Sequence, residues 1–482
     1  MNLGGVLFLL GRLLLALAGT LMIPAVFSYF ADGLAQADDF FLAAGLAGGI
    51  GFVLQIVFRQ PRNFLFGRNE AFLLVSAAWI TASLVGAIPY LMHHGLSFAA
   101  DALFESVSGF TTTGASIYSE VESLPRGLLL WRSLTQWLGG MGIIVLGIAI
   151  LPKLAVGGME LLGAEAPGPM QEKLTPRIAQ TAKALWGIYA TLTTLEFVLL
   201  WFAGMSPFDA INHAMTTTAT AGFSTNDHSI MGFENGWIEM IVLAFMIIAG
   251  ANFALHFQLL RGRPRPLFTD PEFRLYLGIL GGATVLLAAN LMLHRGEGLL
   301  DALRLGAFQA TTMVTTTGYA TADYDQWPNF ARALLFILVF VGGCAGSTTG
   351  SVKVVRSLIV IKKLGVDLKK LLQPHAVLPV RVGKRSIPED VVTSVTTFMP
   401  LFLGLFAAGG LTLGFLGVDL LTAFSASASC VANVGPGLAG VGPATNYGHF
   451  PAAVKVVLSG LMITGRLELY TILVLLFIRW RR

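Results

Sequence analysis

Ten apolar stretches, each long enough to cross a bilayer, divide this chain, so lipid must be the solvent for most of it. They lie near 5–30, 40–58, 71–93, 127–151, 182–204, 236–260, 274–293, 329–361, 390–415 and 452–478. About 20 residues of helix cross roughly 30 Å of hydrocarbon. Of the 482 residues, 55% are hydrophobic and only 12% are charged, against about 25% charged in an average soluble domain. Runs of this length satisfy their backbone in lipid only as helices, which predicts an all-α membrane protein. The opening MNLGGVLFLLGRLLLALAG contains Ala16-Leu17-Ala18, which resembles a signal-peptide cleavage site. No basic side chain precedes its apolar run, and hydrophobicity continues to Phe30, so a retained helix is expected.

Arginines and lysines alternate between loops. Arg59, Arg62 and Arg68 follow the second span; Lys153, Lys173, Arg177 and Lys183 lie between the fourth and fifth. Arg261, Arg263, Arg265 and Arg274 follow the sixth, and Lys362, Lys363, Lys369, Lys370, Arg381, Lys384 and Arg385 follow the eighth. Arg479, Arg481 and Arg482 come last, whereas 31–39 and 205–235 contain no Lys or Arg. The positive-inside rule therefore places both termini in the cytoplasm. The two cysteines, Cys344 and Cys430, stand far apart and suggest neither a disulfide framework nor a metal site. No zinc spacing, nucleophile elbow or dinucleotide fingerprint occurs, and nothing in the chain points to an enzyme or to nucleic-acid binding.

Four outward connections each carry an aspartate-led, Ser/Thr/Ala-rich segment ending in a glycine signature. They read DALFESVSGFTTTGAS from Asp101, DAINHAMTTTATAGFS from Asp209, DALRLGAFQATTMVTTTGYAT from Asp301 and DLLTAFSASASCVANVGPG from Asp419. The signatures are Thr112-Thr113-Gly114, Thr220-Ala221-Gly222, Thr316-Thr317-Gly318 and Asn433-Val434-Gly435. Each segment is too short and too polar to cross the bilayer. Non-helical backbone at membrane depth survives only where it lines a cavity or is buried in protein. A half-helix that dips in and returns as an extended strand meets that condition. Four such strands around one axis form a carbonyl cage that replaces an ion's hydration shell. Glycine supplies the positive φ that turns successive carbonyls to one side. The aspartates fit the outer N-terminal ends of the half-helices, and the negative C-terminal ends then face the pore centre and favour a cation. The expected fold is four tandem helix–re-entrant filter loop–helix repeats around one pore, preceded by two extra transmembrane helices. Its boundaries are 1–65 for the two-helix extension and 66–155, 175–265, 270–365 and 385–482 for the repeats.

These signatures, with TTGA, TAGF, TTGY and NVGP standing where tetrameric potassium channels have T-V-G-Y, resemble the Trk/Ktr/HKT superfamily of potassium transporters. The stretch from Trp131 and Arg132 through Gln136 to Gly139, Gly140 and Gly142 is similar to the second helix of that superfamily's first repeat. Two spans before the first repeat point within it to the bacterial TrkH subunits. The resemblance implies potassium uptake across the cytoplasmic (inner) membrane of a bacterium, with K+ held at the twelve signature residues. It also implies a homodimer with one ion pathway per protomer, and a cytoplasmic regulatory ring of TrkA type whose RCK domains bind the nucleotide. Ala221 and Asn433 depart from the other repeats, so the filter is not fourfold symmetric in its side chains. The alternative is a K+/Na+ or K+/H+ symporter using the same filter. Few acidic residues lie within the spans, which counts against it.

The eighth span is interrupted by eleven residues, Val341 to Ser351, with four glycines and four hydroxyl side chains. That density breaks a helix in mid-span. A phosphate loop is excluded because the G-K-[ST] ending is missing; a kinked packing helix is the alternative. The preferred reading, shared with the family, is a gate of Gly343, Gly346, Ser347, Thr348, Thr349 and Gly350 under the filter. Arg466, mid-way along the last span, is expected to bind that loop's carbonyl and hydroxyl groups, since a charge at that depth marks function. Lys353 and Arg356, just past the loop, either serve it or snorkel to the cytoplasmic interface, and the partner of Glu468 is open. Trp131, Trp137, Trp237 and Trp327 read as interfacial belt anchors. Glu105 suggests contact with neighbouring backbone amides or packing support, and His213 a satisfied structural histidine. Lys362, Lys363, Lys369 and Lys370 form a basic run suited to anionic lipid or a partner, with a solvated face that only orients the chain as the alternative.

Overall fold

The computed structural model describes residues 2–60, 67–149, 174–383 and 385–477. Of the basic residues that orient the chain, Arg62, Lys153, Lys173, Lys384, Arg479, Arg481 and Arg482 lie outside them. Among the described residues six helices are long and apolar enough to cross a membrane by themselves. A seventh span is a helix pair bent by 98°.

The first two helices, α1 (Leu3–Ala31) and α2 (Leu34–Val57), form a hairpin. Gly11 and Gly51 meet at their crossing, where a Cβ on either would lie 2.9 Å from the other's carbonyl oxygen. Small residues at such a crossing let two apolar helices pack by close backbone contact, which lipid cannot drive through hydrophobicity. α1 then packs against α3 (Arg68–Gly86), which continues as α4 (Ile88–His94).

After this hairpin one order of elements recurs four times: long helix, short helix, extended strand, second helix. The first set is α3–α4, the short α5 (Ala99–Phe110) and α6 (Arg126–Ala149). The second is α7 (Leu174–Phe202), α8 (Pro207–Thr218), and α9 (Gly236–Ala249) with α10 (Phe253–Leu260). A linking turn, α11 (Arg265–Thr269), leads to the third: α12 (Pro271–Arg295), α13 (Leu299–Val314), α14 (Asn329–Leu338) and α15 (Val354–Leu372). A two-residue hairpin, β1 (Arg381–Val382) with β2 (Arg385–Ser386), precedes the fourth. That set is α16 (Glu389–Phe415), α17 (Leu420–Ala432), α18 (Ala452–Arg466) and α19 (Tyr470–Phe477).

The aspartates sit at the starts of the short helices, where they complement exposed N–H groups. Asp101, Asp209 and Asp301 lie in the first turns of α5, α8 and α13, and Asp419 is the N-cap of α17. The Thr422 hydroxyl and amide hold the Asp419 carboxyl below its usual range. Three of the second helices pack on the next set's short helix, α6 on α8, α9 on α13, and α18 back on α5, and the third set reaches the fourth where Gly350 lies against Ala432 O. The four sets therefore close on one another around a common centre.

Three second helices are not continuous. Besides the expected interruption between α14 and α15, the sixth span breaks at Gly250–Asn252 and the tenth at Leu467–Leu469. The backbone groups freed at Gly250 are taken by the interruption itself. Cys344 N–H donates to Gly250 O at 2.9 Å, and Phe253 N–H donates to Gly346 O at 3.1 Å. One broken helix thus satisfies another, which is what allows both to exist inside a membrane. The last break needs no glycine; Glu468 and Leu469 take φ of 56° and 50°.

Two belt anchors are corrected. Trp131 and Trp327 are packed inside the protein, and the Trp131 indole donates to Gly86 O at 3.0 Å. The Trp131 indole, with its internal acceptor, gains nothing from the interface. Trp237 is exposed and Trp137 half-buried.

Candidate functional site

The four signatures share one backbone conformation. Each short helix ends on a residue with left-handed φ: Thr112 (53°), Thr220 (51°), Thr316 (53°) and Asn433 (56°). The next N–H in each reaches five residues back, Thr113 to Ser108 O (2.9 Å), Ala221 to Thr216 O (3.0 Å), Thr317 to Thr312 O (2.9 Å) and Val434 to Ser429 O (3.0 Å). This is a Schellman-type helix stop, usually made with glycine. Here β-branched threonine holds the left-handed position in three copies, a strained choice that persists only where the surroundings enforce it. Two residues later φ is positive again, at Gly114 (78°), Gly222 (73°), Gly318 (81°) and Gly435 (102°).

The glycines close a ring. A Cβ on Gly114 would lie 2.1 Å from Ala221 O, one on Gly222 1.9 Å from Thr317 O, one on Gly318 2.1 Å from Val434 O, and one on Gly435 2.6 Å from Thr113 O. Each copy touches the next, and the fourth returns to the first. No side chain fits at any of the four positions without moving a neighbouring carbonyl. The C-terminal ends of α5, α8, α13 and α17 lead directly into this ring, so their partial negative charge is concentrated there.

Buried side chains hold the strands from behind. Glu105 accepts from Ile117 N–H (3.0 Å), from the Ser116 hydroxyl and from Arg132 Nε (2.8 Å). Arg132 also donates to Ser224 O at 3.1 Å, so one buried ion pair spans two copies. His213 is held by Asp209 O (2.8 Å) and Ser224 Oγ (3.0 Å), as a structural histidine should be. Gln136 and Tyr319 were not marked as site residues by sequence reasoning. Both lie in stretches that carry the family resemblance, Tyr319 in TTGY and Gln136 in the run from Trp131 to Gly142. Tyr319 shares a hydrogen bond of 2.5 Å with Thr216 of the preceding copy.

The interrupted segment packs against this ring. Thr220 Oγ1 donates to Thr348 Oγ1 (3.1 Å), Thr348 Oγ1 donates to Thr218 O (3.2 Å), and Gly350 N–H donates to Thr316 Oγ1 (2.8 Å). A Cβ on Gly350 would lie 2.3 Å from Ala432 O. Three of the four copies are therefore touched by one loop. Arg466 Nη1 donates to Thr348 O at 2.9 Å, and Ser347 Oγ bonds to Cys344 O and Thr349 Oγ1.

Lys353 and Arg356 do not snorkel. Lys353 is buried and donates to Thr349 O and Thr349 Oγ1; Arg356 is buried against Glu468. Loop acceptors and a carboxylate are available inside, so neither cation needs the interface. Glu272 was also overlooked: its Oε1 accepts from Ala345 N–H (2.6 Å) and Val355 N–H (3.1 Å). Four glutamates, Glu105, Glu196, Glu239 and Glu272, are buried, and of these only Glu196 and Glu239 lie within the predicted spans. Glu105, Glu239 and Glu272 lie beside arginines or backbone amides, which is how a carboxylate tolerates burial.

A family profile named TrkH and described as a cation transport protein matches residues 47–480. The chain belongs to the TrkH family. Among relatives of this TrkH-family chain, a "Trk system potassium uptake protein TrkH" of Salmonella typhimurium is 40% identical over 474 residues, 97% of each chain. A protein of the same name from Halomonas elongata is 40% identical over 479 residues, 98% of each. The crystal structure of the potassium transporter TrkH from Vibrio parahaemolyticus superposes with a TM-score of 0.91 at 36% identity, covering 100% of both chains. This TrkH-family protein is a multi-pass, all-α membrane transporter, not an enzyme.

Proposed function

We propose that this protein takes up potassium across the cytoplasmic (inner) membrane through a selective, channel-like pore. The ring of four glycines, each set against the next copy's carbonyl, carries this reading. A closed set of backbone carbonyls with helix C-termini behind it suits a dehydrated monovalent cation. Near-full-length relatives bear the name of potassium uptake proteins. Potassium binds at Thr112, Thr113, Gly114, Thr220, Ala221, Gly222, Thr316, Thr317, Gly318, Asn433, Val434 and Gly435.

Below the ring, the loop of Gly343, Gly346, Ser347, Thr348, Thr349 and Gly350 closes the path, and Arg466 tethers it. Both termini face the cytoplasm, two copies form a homodimer, and a TrkA-like RCK-domain protein brings the regulatory nucleotide. Anionic lipid meets the Lys362–Lys370 run.

Single-channel recording in planar bilayers, with potassium or sodium as the only cation, tests the reading. Larger current in potassium is expected, and equal currents overturn selectivity. A proton-coupled carrier is the second reading, favoured by the full burial of Glu196 and the near-complete burial of Glu272. Potassium flux that ignores an imposed pH gradient removes it.

A further inference from the structure

We propose that Gln136 is a specificity-determining residue: its side-chain amide positions one of the four ring carbonyls from outside the repeat that carries it. This rests on the reading of the ring as a potassium filter. The observation behind it is a difference among the four copies. In the first, Thr111 Oγ1 donates to Val107 O (2.7 Å) and pairs with Thr113 Oγ1 (2.7 Å). In the third, Thr315 Oγ1 donates to Thr311 O (2.7 Å) and pairs with Thr317 Oγ1 (2.8 Å). The residue whose carbonyl joins the ring is thereby tied to its own short helix.

The second copy has Ala219 and Ala221 at these places, and the fourth has Ala432 and Val434. Neither can make the tie. In the fourth, Ser429 Oγ and Tyr447 Oη both donate to Gly435 O, at 2.6 and 2.7 Å. In the second, the replacement comes from α6 of the first copy. Gln136 Nε2 donates to Ala221 O at 2.8 Å and Gln136 Oε1 accepts from Phe223 N–H at 3.1 Å.

These two bonds bracket Gly222, and Gln136 is fully buried. The backbone leaves no ambiguity in how the amide lies, because Phe223 N–H can only donate and Ala221 O can only accept. Ala221 O is also the oxygen that Gly114 faces. One glutamine therefore sets the position of the carbonyl through which the first two copies touch.

The test uses the full-length protein in planar bilayers, with sodium-to-potassium permeability ratios read from reversal potentials. Gln136→Met keeps the length and removes both bonds. Gln136→Asn keeps the amide but is one methylene too short to bridge both partners. Gln136→Met is expected to raise the ratio by about fivefold, the factor one ordinary hydrogen bond is worth, with a smaller rise for Gln136→Asn. Thermal unfolding of each variant is measured alongside, because a role in packing alone lowers stability and leaves the ratio unmoved. A folded Gln136→Met protein with the wild-type ratio overturns the proposal. If Gln136→Met does not fold, a wild-type ratio in Gln136→Asn overturns it, and failure of both to fold assigns Gln136 to folding and overturns it as well. A wild-type protein that passes sodium and potassium equally refutes the filter reading instead.

Discussion

The buried Arg356 and the half-buried Glu468, 112 positions apart in the chain, form an ion pair that joins the two broken helices of the last two repeats. Arg356 lies at the start of α15, just after the interrupted loop, and its guanidinium stacks over the Phe398 ring at 4.1 Å. Glu468 sits at the break between α18 and α19 with left-handed φ. The pair also stands close in sequence to Arg466 and Lys353, the two cations that hold the loop.

Removing Glu468 takes away the carboxylate that faces the buried Arg356 guanidinium, and breaking a buried pair costs about 3–5 kcal/mol. Glu468→Gln is expected to lower the unfolding temperature by several degrees in detergent. The double variant Arg356→Met/Glu468→Leu should recover much of that loss, since an apolar pair of similar volume is often neutral. A double variant as unstable as Glu468→Gln would show that the charges themselves are required.

Gly114→Ser should weaken discrimination against sodium more than it weakens total cation flux. A Cβ there would lie 2.1 Å from Ala221 O, so the neighbouring carbonyl has to move. The φ of 78° strains any side chain in addition. Permeability ratios for wild type and variant decide the matter, and an unchanged ratio removes Gly114 from the filter.

Arg466→Ala should raise potassium flux without changing selectivity. It removes the bond to Thr348 O and a positive charge beneath the ring. A charged hydrogen bond is worth about 1.5–3 kcal/mol, so a rise of about tenfold per folded molecule is the scale. Deleting Gly343 to Gly350 is a less direct test, because that loop also satisfies Gly250 O and Phe253 N–H. Reduced flux from a well-folded Arg466→Ala protein would count against the gate.

Glu272 separates charge from hydrogen bonding. Both of its bonds use one oxygen, which accepts from Ala345 within the loop and from Val355 in the first turn of α15. Glu272→Gln retains such an oxygen and should gate like wild type, whereas Glu272→Ala frees two half-buried N–H groups and should leak. Flux measured with folding checked independently tells them apart. A leak of equal size in both variants would mean that the negative charge holds the loop.

The repeated architecture was legible because its signals are local. Apolar length marks the spans, aspartates mark the half-helix starts, and the glycine signature marks each strand by the positive φ it needs. The interruption at 341–351 was visible for the same reason. The bend at Gly250–Asn252 and the break at Leu467–Leu469 were not, since neither has a dense run of glycine and hydroxyl residues. Their freed backbone groups are tolerated only because another segment arrives to take them.

By itself the sequence determined the solvent, the number of repeats and the residues with unusual backbone freedom, all of which follow from composition and spacing along one segment. Only the tertiary structure decided which copy braces which. Gln136 reaches Ala221 across 85 positions, Arg466 reaches Thr348 across 118, and Asn433 reaches Thr113 across 320. The physical reason is that a buried polar group must find a partner wherever one is within about 3 Å. In a ring of four repeats, that partner can belong to a different repeat, as it does for these three.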